Sequence, residues 1–256
     1  SSAMTIMTVS LVNAGLLTLG QSIAIMMGAN VGTTLTAWII AIFGYACNIG
    51  YLAIPVVVIA LPFIYTTRTK RKPWGEVLMG LALFVLGFTT FIATMPSPSD
   101  FPEAQASMQL LSSAGFWSVL LFVIIGLAIT TLFRSSAATI MLAMVAVASS
   151  WIEFPMAAGL VLGDNVGTTL TAVIASRTAN VSARRAAMSH LMFNVFGLVW
   201  ALPLLYPLSD GLTSLVAQIA GQASPATLAF AVAIYHTLFN LVTVVTFWFC
   251  CRYSEE

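Results

Sequence analysis

Long apolar stretches separated by short polar segments dominate this chain. A helix needs about 20 predominantly apolar residues to cross the hydrocarbon core of a bilayer. Five stretches predict membrane-spanning helices: Leu52–Thr66, Val77–Met95, Phe116–Phe133, Ala186–Tyr206 and Thr227–Cys250. The pattern therefore predicts an all-α polytopic membrane protein.

Two further apolar regions, Ala3–Phe43 and Ala137–Ala175, contain Gly, Ser, Asn and Thr where a simple span would carry Leu or Val. Each region is long enough for two passes. Polar groups and irregular backbone are tolerated at membrane depth only where protein buries them or where they line a watery cavity. These regions therefore predict re-entrant hairpins or broken helices.

The polar positions inside these two regions repeat. Residues 28–37 read GANVGTTLTA and residues 163–172 read GDNVGTTLTA, identical at nine of ten positions. Upstream of each, residues 1–7 read SSAMTIM and residues 135–141 read SSAATIM. A duplicated polar motif in an apolar chain indicates a site built from two halves, as in many secondary transporters.

Composition supports the membrane assignment and excludes other classes. Hydrophobic residues make up 60% of the 256 residues and charged residues 7%, with a mean hydropathy of +1.01, whereas soluble domains carry about 25% charge. The net charge of +1 leaves no basic surface for nucleic acid. Nothing pairs a nucleophile with a base, and no P-loop lysine follows the glycines, so we expect neither enzyme activity nor a cofactor.

Basic residues orient the spans, because cytoplasmic loops carry the excess of Lys and Arg. Segments 67–75 and 177–185 and the C-terminal end are basic, and 97–113 and 209–224 contain no Lys or Arg. We expect the first group inside and the second outside. The second motif then leads directly into an inside loop, whereas the first is followed by one more span, Leu52–Thr66. The two copies are thus expected to run in opposite directions, as inverted repeats do.

This orientation divides the chain into four segments. The first inverted repeat covers 1–95 and is expected to be truncated at its N-terminal end. An extracytoplasmic loop covers 96–115, and the second inverted repeat covers 116–206. Residues 207–256 are expected to form an extracytoplasmic loop and a C-terminal transmembrane helix.

The serine pairs and the motif supply the candidate chemistry. Serine hydroxyls can surround an oxyanion or offer oxygens to a small cation, although small residues also let membrane helices pack closely. Glycines let the backbone leave helical geometry, which frees N–H groups for anions and carbonyls for sodium. A structural Gly/Thr kink is the alternative. The matching polar side chains are Asn30, Thr33, Thr34, Asn165, Thr168 and Thr169.

Arg134, Asp164 and a repeated His-Asn pair are further candidates. Arg134 precedes the second serine pair, where a guanidinium suits phosphate or instead snorkels to the cytoplasmic interface. Asp164 stands where the first copy has Ala29, and it could bind sodium, pair with Arg134, or lack a function. His190 and Asn194, like His236 and Asn240, are spaced i, i+4 on one helix face, which favours packing with satisfied hydrogen bonds over a proton relay.

At these residues the chain resembles the sodium/phosphate cotransporter family, bacterial branch. That family has two inverted repeats, each with a QSSS-type motif followed by a G-x-N-[IV]-G-T-[TS] segment. The likeness covers 1–37 and 133–172, and RRAAMSHLMFNVFGLVW at 184–200 also resembles the family. The sequence departs from the pattern at 133–137, where Phe-Arg-Ser-Ser-Ala stands in place of Gln and three serines.

The resemblance implies sodium-coupled symport of inorganic phosphate by alternating access, in a bacterial inner membrane. It places the serines at hairpin tips beside phosphate and the motif residues in unwound segments. The expected substrate-binding residues are Ser1, Ser2, Asn30, Thr33, Arg134, Ser135, Ser136, Asn165 and Thr168. The expected ion-binding residues are Gln21, Asn30, Thr34, Asp164, Asn165 and Thr169.

Phosphate, sodium and the lipid bilayer are the expected partners, with a homodimer as a further expectation, and sodium is the only expected metal. Two alternatives stay open. One is a sodium-coupled transporter of another oxyanion or a small carboxylate. The other is a membrane sensor or scaffold that reports phosphate without transporting it.

Overall fold

The computed structural model describes residues 2–46, 50–67, 69–222 and 224–253. Ser1 and Arg68, which were assigned to the first serine pair and to the basic segment 67–75, lie outside these ranges. In the described ranges every regular element is helical. The α-helices are α1 (Ser2–Asn13), α2 (Leu19–Ala41), α3 (Gly50–Ile64), α4 (Lys72–Thr94), α5 (Pro102–Ser112), α6 (Phe116–Phe133), α7 (Ser136–Ala148), α8 (Phe154–Ala175), α9 (Val181–Ala220) and α10 (Pro225–Tyr253).

Six helices of the described chain are long and apolar enough to cross a membrane: α2 with the π-helical turn Ile42–Ala46, α4, α6, α8, α9 and α10. The predicted all-α membrane class is therefore confirmed. The predicted span Leu52–Thr66 corresponds to α3, whose 15 residues reach only about 22 Å. This length is short of a full crossing of the hydrocarbon core. The expected opposite orientation of the first copy depended on that crossing and is therefore less well supported.

The C-terminal region also differs from expectation. The segment 209–224 was predicted to be a loop, but α9 continues as a helix to Ala220 and is 40 residues long. Its sequence there carries Leu, Val, Ile and Ala at helical spacing, which sustains the helix. Pro203 and Pro207 lie inside α9, so two backbone N–H donors are missing from its hydrogen-bond ladder.

The repeat in the sequence is also a repeat in backbone geometry. The turn after α1 places Gly15 in the left-handed region (φ 73°), and the turn after α7 places Ser150 there (φ 60°). Leu16 N–H donates to the Leu11 carbonyl at 2.9 Å, and Trp151 N–H donates to the Ala146 carbonyl at the same distance. Both helix pairs, α1–α2 and α7–α8, are thus closed by the same type of C-terminal cap.

The two turns lie at opposite ends of α8. The indole of Trp151, in the α7–α8 turn at the start of α8, donates to the Pro96 carbonyl at 2.9 Å. At the other end, the backbone N–H of Asn180, just after α8, donates to the side chain of Asn13 at 2.7 Å. Asn13 ends α1. The two helix pairs therefore turn at opposite ends of the bundle.

Glycines bring α6 and α8 into backbone contact. A Cβ atom built on Gly163 would overlap the carbonyl oxygen of Val123, and one on Gly167 would lie 2.7 Å from the carbonyl oxygen of Leu127. Gly126 of α6 faces the backbone of α8 in the same way. Only glycine, which has no side chain, permits the two backbones to lie this close. Among the candidate membrane spans of the described residues, α8 is also the most buried.

The first copy of the motif has no such neighbour in the described part of the chain. No heavy atom of another described element lies within 4 Å of a Cβ atom built on Gly28 or Gly32, although these glycines match Gly163 and Gly167 in sequence. Leu35, three residues further along α2, is 64% exposed. The same glycine residues of the motif thus allow close helix packing in α8 and lie on an open helix face in α2.

This difference makes a prediction about stability. Gly163→Ala should lower the free energy of unfolding by about 1–3 kcal/mol, because the added methyl group forces α6 and α8 apart. Gly28→Ala should leave stability unchanged or raise it by up to about 1 kcal/mol, since alanine is the better helix former. Thermal unfolding of the purified variants in detergent compares the pair, and equal losses would contradict the packing described above.

Candidate functional site

A closed network of hydrogen bonds surrounds the first copy of the motif. Asn30 of α2 donates through Nδ2 to Asn194 Oδ1 at 2.9 Å, and its Oδ1 lies 3.1 Å from His190 Nε2. The other ring nitrogen of His190 lies 3.4 Å from the hydroxyl of Thr5 in α1. All four side chains are buried. This first-copy cluster (Thr5, Asn30, His190, Asn194) therefore joins α1, α2 and α9 through neutral groups.

A second cluster surrounds the second copy of the motif and contains a carboxylate. Thr130 of α6 donates to Asp164 Oδ1 of α8 at 2.8 Å, and its hydroxyl lies 2.7 Å from that of Thr139 in α7. The exposed fraction of each of these side chains is 0%. This second-copy cluster (Thr130, Thr139, Asp164) joins α6, α7 and α8. Thr139 and Thr5 occupy the same position of the repeat.

Asp164 is only half satisfied. Its Oδ2 has no hydrogen-bond partner among the described residues, and no salt bridge to it occurs there. Arg134, the partner considered from sequence, is solvent-exposed at the turn between α6 and α7. An unpaired buried carboxylate is costly at membrane depth, which marks this cluster as a functional candidate.

The motif segments remain regular helices, which corrects the expectation of unwound backbone. Helix α2 runs unbroken from Leu19 to Ala41 and α8 from Phe154 to Ala175. The motif threonines donate their hydroxyl hydrogens to carbonyls three or four residues earlier in the same helix, as Thr33, Thr34, Thr168 and Thr169 do. Asn165 likewise donates to the Val161 carbonyl at 3.0 Å. The backbone carbonyls of these segments are therefore engaged in the helix and not freed to bind ions.

The second serine pair lies where α6 turns into α7. Arg134 ends α6 in the left-handed conformation (φ 54°), and Ser135 caps α7 by accepting a hydrogen bond from Ala138 N–H at 3.3 Å. Ser135 and Ser136 are half-buried. An accepting Ser135 oxygen leaves its own O–H free to donate. The N-terminal end of α7 thus gathers hydroxyls, backbone N–H groups and an arginine, which is an arrangement suited to an anion.

The remaining predicted residues are distributed unevenly. Ser2 is half-buried at the start of α1, and its neighbour Ser1 lies outside the described residues. Gln21 is exposed and forms a capping box with Thr18 at the start of α2. It lies about 13 Å along the helix axis from Asn30. The structure therefore does not support Gln21 as an ion ligand alongside Asn30.

The second His-Asn pair does not resemble the first. His236 and Asn240 of α10 are fully buried, but neither ring nitrogen of His236 nor Oδ1 of Asn240 has a partner among the described residues. The prediction that each histidine packs with its hydrogen bonds satisfied is correct for His190 and wrong for His236.

Four helices of the described chain, α1, α7, α9 and α10, contact both motif helices. Helix α9, which carries His190 and Asn194, packs against both α2 and α8, and α10 also contacts both. Helix α1 packs against α8 as well. The motif helices therefore share their neighbours, as a site assembled from two halves requires.

Sequence reasoning did not identify the role of Thr130. It lies outside both repeated motifs, and a threonine near the end of an apolar helix carries no distinctive signal. His190 and Asn194 were noted for their spacing, but the spacing alone did not reveal that their partner is Asn30. That contact joins residues 160 or more positions apart, which only the tertiary structure shows.

The family indicated by the paired motifs is also found when the sequence is compared with known proteins. A family profile described as "Na+/Pi-cotransporter" matches residues 1–92 and 105–206, which is most of the chain. The match includes both serine pairs and both GxNVGTT segments. It confirms the resemblance that the paired motifs indicated.

Individual relatives match nearly the whole chain. A Bacillus subtilis protein named "Uncharacterized protein YqeW" is 30% identical over 247 residues, covering 96% of this chain and 75% of that protein. The Escherichia coli K12 protein named "Putative inorganic phosphate export protein YjbB" is 29% identical over 244 residues, covering 94% of this chain. The chain spans only 41% of that relative's length, and the same holds for the Salmonella typhimurium YjbB, at 28% identity. No solved structure shows a significant match.

The first-copy cluster leads to a stability prediction. Asn30→Ala should lower the free energy of unfolding by about 1–3 kcal/mol, because it leaves His190 Nε2 and Asn194 Oδ1 buried without partners. Asn165→Ala should cost less, since Asn165 bonds only within its own helix. Adding His190→Ala to Asn30→Ala should cost less than the sum of the two single changes. Strict additivity in thermal unfolding would show that the two residues are not coupled.

Proposed function

Because the chain belongs to the Na+/Pi-cotransporter family, we propose that it carries inorganic phosphate across a membrane together with sodium. Family membership, together with six helices among the described residues that are long and apolar enough to cross a bilayer, identifies it as an integral membrane transport protein. The bacterial inner membrane is the location we propose. The collection of hydrogen-bond donors at the start of α7 is the observation that carries this proposal.

Phosphate would bind where hydrogen-bond donors collect. Hydrogen phosphate needs donors, and the turn from α6 to α7 offers the Arg134 guanidinium, the Ser135 and Ser136 hydroxyls and the first N–H groups of α7. Arginine binds phosphate in a bidentate fashion, and the helix dipole adds positive potential at this end. Ser1 and Ser2 would complete the site from the first copy, with Asn30 and Asn165 beside it.

Sodium would bind where acceptors collect. The motif threonines donate their hydrogens to their own helices, so only oxygen lone pairs remain to face a ligand. Such oxygens suit a small hard cation and not a phosphate oxygen. We assign Thr34, Thr169, Asn30, Asn165 and Asp164 to ion binding, and Thr33 and Thr168 to the boundary with the substrate.

Charge balance supports coupling to a cation. Moving one elementary charge through the membrane potential involves about 2.3 kcal/mol per 100 mV. Hydrogen phosphate carries two negative charges, so its uptake into a negative interior needs compensating cations. Sodium ions bound beside the anion would supply that compensation and favour closure of the site.

We also propose that the two halves are inverted repeats that alternate access. The matching caps after α1 and α7, together with their turns at opposite ends of α8, support this arrangement. One half would then move relative to the other around the shared site. The helix pair α6–α7, with its serine turn, would act as a re-entrant hairpin.

Export of phosphate is the second candidate, because two of the relatives above carry names that describe export. The same anion site would serve either direction. The direction of net transport would then depend on which ion gradient the chain uses.

Phosphate transport can be tested in proteoliposomes. Wild-type protein should accumulate labelled phosphate when an inward sodium gradient is imposed, and Ser135→Ala and Asn165→Ala should abolish this uptake while retaining the folded state. Ser189→Ala is the control, since Ser189 lies outside both motifs, is only half-buried, and donates its hydroxyl hydrogen to the Arg185 carbonyl within α9. Uptake at the wild-type level in both site variants would remove these residues from the binding machinery.

Direction and substrate are distinguished in the same preparation. Efflux from phosphate-loaded vesicles, measured with and without external sodium, separates import from export. Competition by sulfate, arsenate and succinate separates phosphate from other oxyanions and from small carboxylates. Binding of phosphate without any transport would favour the sensor alternative.

A further inference from the structure

We propose that the second-copy cluster is a binding site for one monovalent cation, and that the second half of the chain alone carries this charged site. The inference rests on the proposed function and deepens it, because it names residues that hold one of the coupling ions. Thr130 and Thr139, which belong to neither the predicted substrate-binding set nor the predicted ion-binding set, are the new ligands.

The hydrogen-bond directions define what the cluster can bind. Thr130 donates its only hydroxyl hydrogen to Asp164 Oδ1. The hydrogen between Thr130 and Thr139, whose oxygens are 2.7 Å apart, must therefore come from Thr139. No hydroxyl hydrogen is left to meet a ligand, whereas the carboxylate and both hydroxyls keep oxygen lone pairs. The cluster is thus an acceptor set, and hard cations prefer oxygen ligands.

The carboxylate requires a positive partner. Asp164 is fully buried, its Oδ2 is unpartnered, and no basic side chain of the described residues pairs with it. Uncompensated burial of a charge costs several kcal/mol. A cation bound at Oδ2 removes that cost and leaves the Thr130 hydrogen bond intact.

The first copy lacks this property. Ala29 stands at the position of Asp164, and the groups of the first-copy cluster are amides, a hydroxyl and an imidazole that bond to one another. That cluster has no carboxylate to balance. The repeat is therefore asymmetric in charge, and the cation that balances Asp164 belongs to the second half.

The cluster also lies next to the proposed anion site. The Thr130 backbone carbonyl accepts a hydrogen bond from the Arg134 N–H at 2.8 Å in the last turn of α6, and Thr139 lies in the first turn of α7, four residues after Ser135. The serine turn is thus held on both sides by ligands of the cation. Occupancy of the cluster would fix the turn against α8, which gives sodium a direct means of ordering the phosphate site.

The test measures cation-dependent thermal stability of the purified protein in detergent, without phosphate. At constant ionic strength and pH, NaCl should raise the unfolding temperature of the wild type in a saturable manner, whereas choline chloride should not. Asp164→Asn should abolish this rise. The opposite result, an unchanged sodium response in a folded Asp164→Asn protein, would overturn the proposal.

Threonine substitutions keep the test valid if Asp164→Asn does not fold. Thr130→Val and Thr139→Val remove the hydroxyl without changing the shape, and each should raise the half-saturating sodium concentration about tenfold or more. Thr130→Ser should restore the wild-type response. Thr171→Val is the control, since Thr171 is equally buried in α8 and bonds only to the Thr168 carbonyl. A matching loss in Thr171→Val would show that the effect is structural and would overturn the assignment.

A proton is the competing occupant, and the same experiment separates it. If lowering the pH stabilises the wild type, sodium has no effect, and Asp164→Asn loses the pH response, then the carboxylate binds a proton and the cation site is refuted. Failure of the proposed function is distinguishable from these results. A sodium response lost in Asp164→Asn, together with no phosphate transport by the wild type, would keep this site and reject the function.

Discussion

Backbone contact between α6 and α8 is the constraint on which the candidate site depends. Gly126, Gly163 and Gly167 leave no side chain between the two helices at their closest approach. At this separation the short hydroxyl of Thr130 reaches Asp164, and the turn into α7 stays beside the motif helix. Any side chain at these glycines would separate the helices, and the buried carboxylate would lose its hydrogen-bond donor.

Much of the architecture was accessible from the sequence, because the lipid environment imposes a simple rule on apolar length. Helix α6 has the predicted bounds, and the paired motifs indicated the family. The sequence did not reveal whether the motif backbone is helical or unwound. Glycine permits both unwinding and close packing, and only the position of α6 shows that packing applies at Gly163. The partner of Asn30 was equally hidden, because His190 lies on a helix far away in sequence.

The site separates donors from acceptors over a short distance. Arg134, the serine hydroxyls and the first N–H groups of α7 lie at the α6–α7 turn, whereas the acceptor oxygens belong to Asp164 and to Thr130, which lies one helical turn before Arg134. This separation follows from local bonding. Threonines within a helix give their hydrogens to the carbonyls of that helix, and a serine that caps a helix keeps its hydrogen. Residues of similar chemistry therefore present donors at the turn and acceptors beside Asp164.

The two prolines in α9 have a mechanical consequence. The segment before Pro203 holds His190 and Asn194 against Asn30, and the segment after Pro207 extends to Ala220. Each proline removes one backbone hydrogen bond from α9. The helix therefore bends most easily near Pro203 and Pro207. A movement of the N-terminal part of α9, which contacts Asn30, would then bend the helix between Pro203 and Pro207. The C-terminal part of α9 could keep its position.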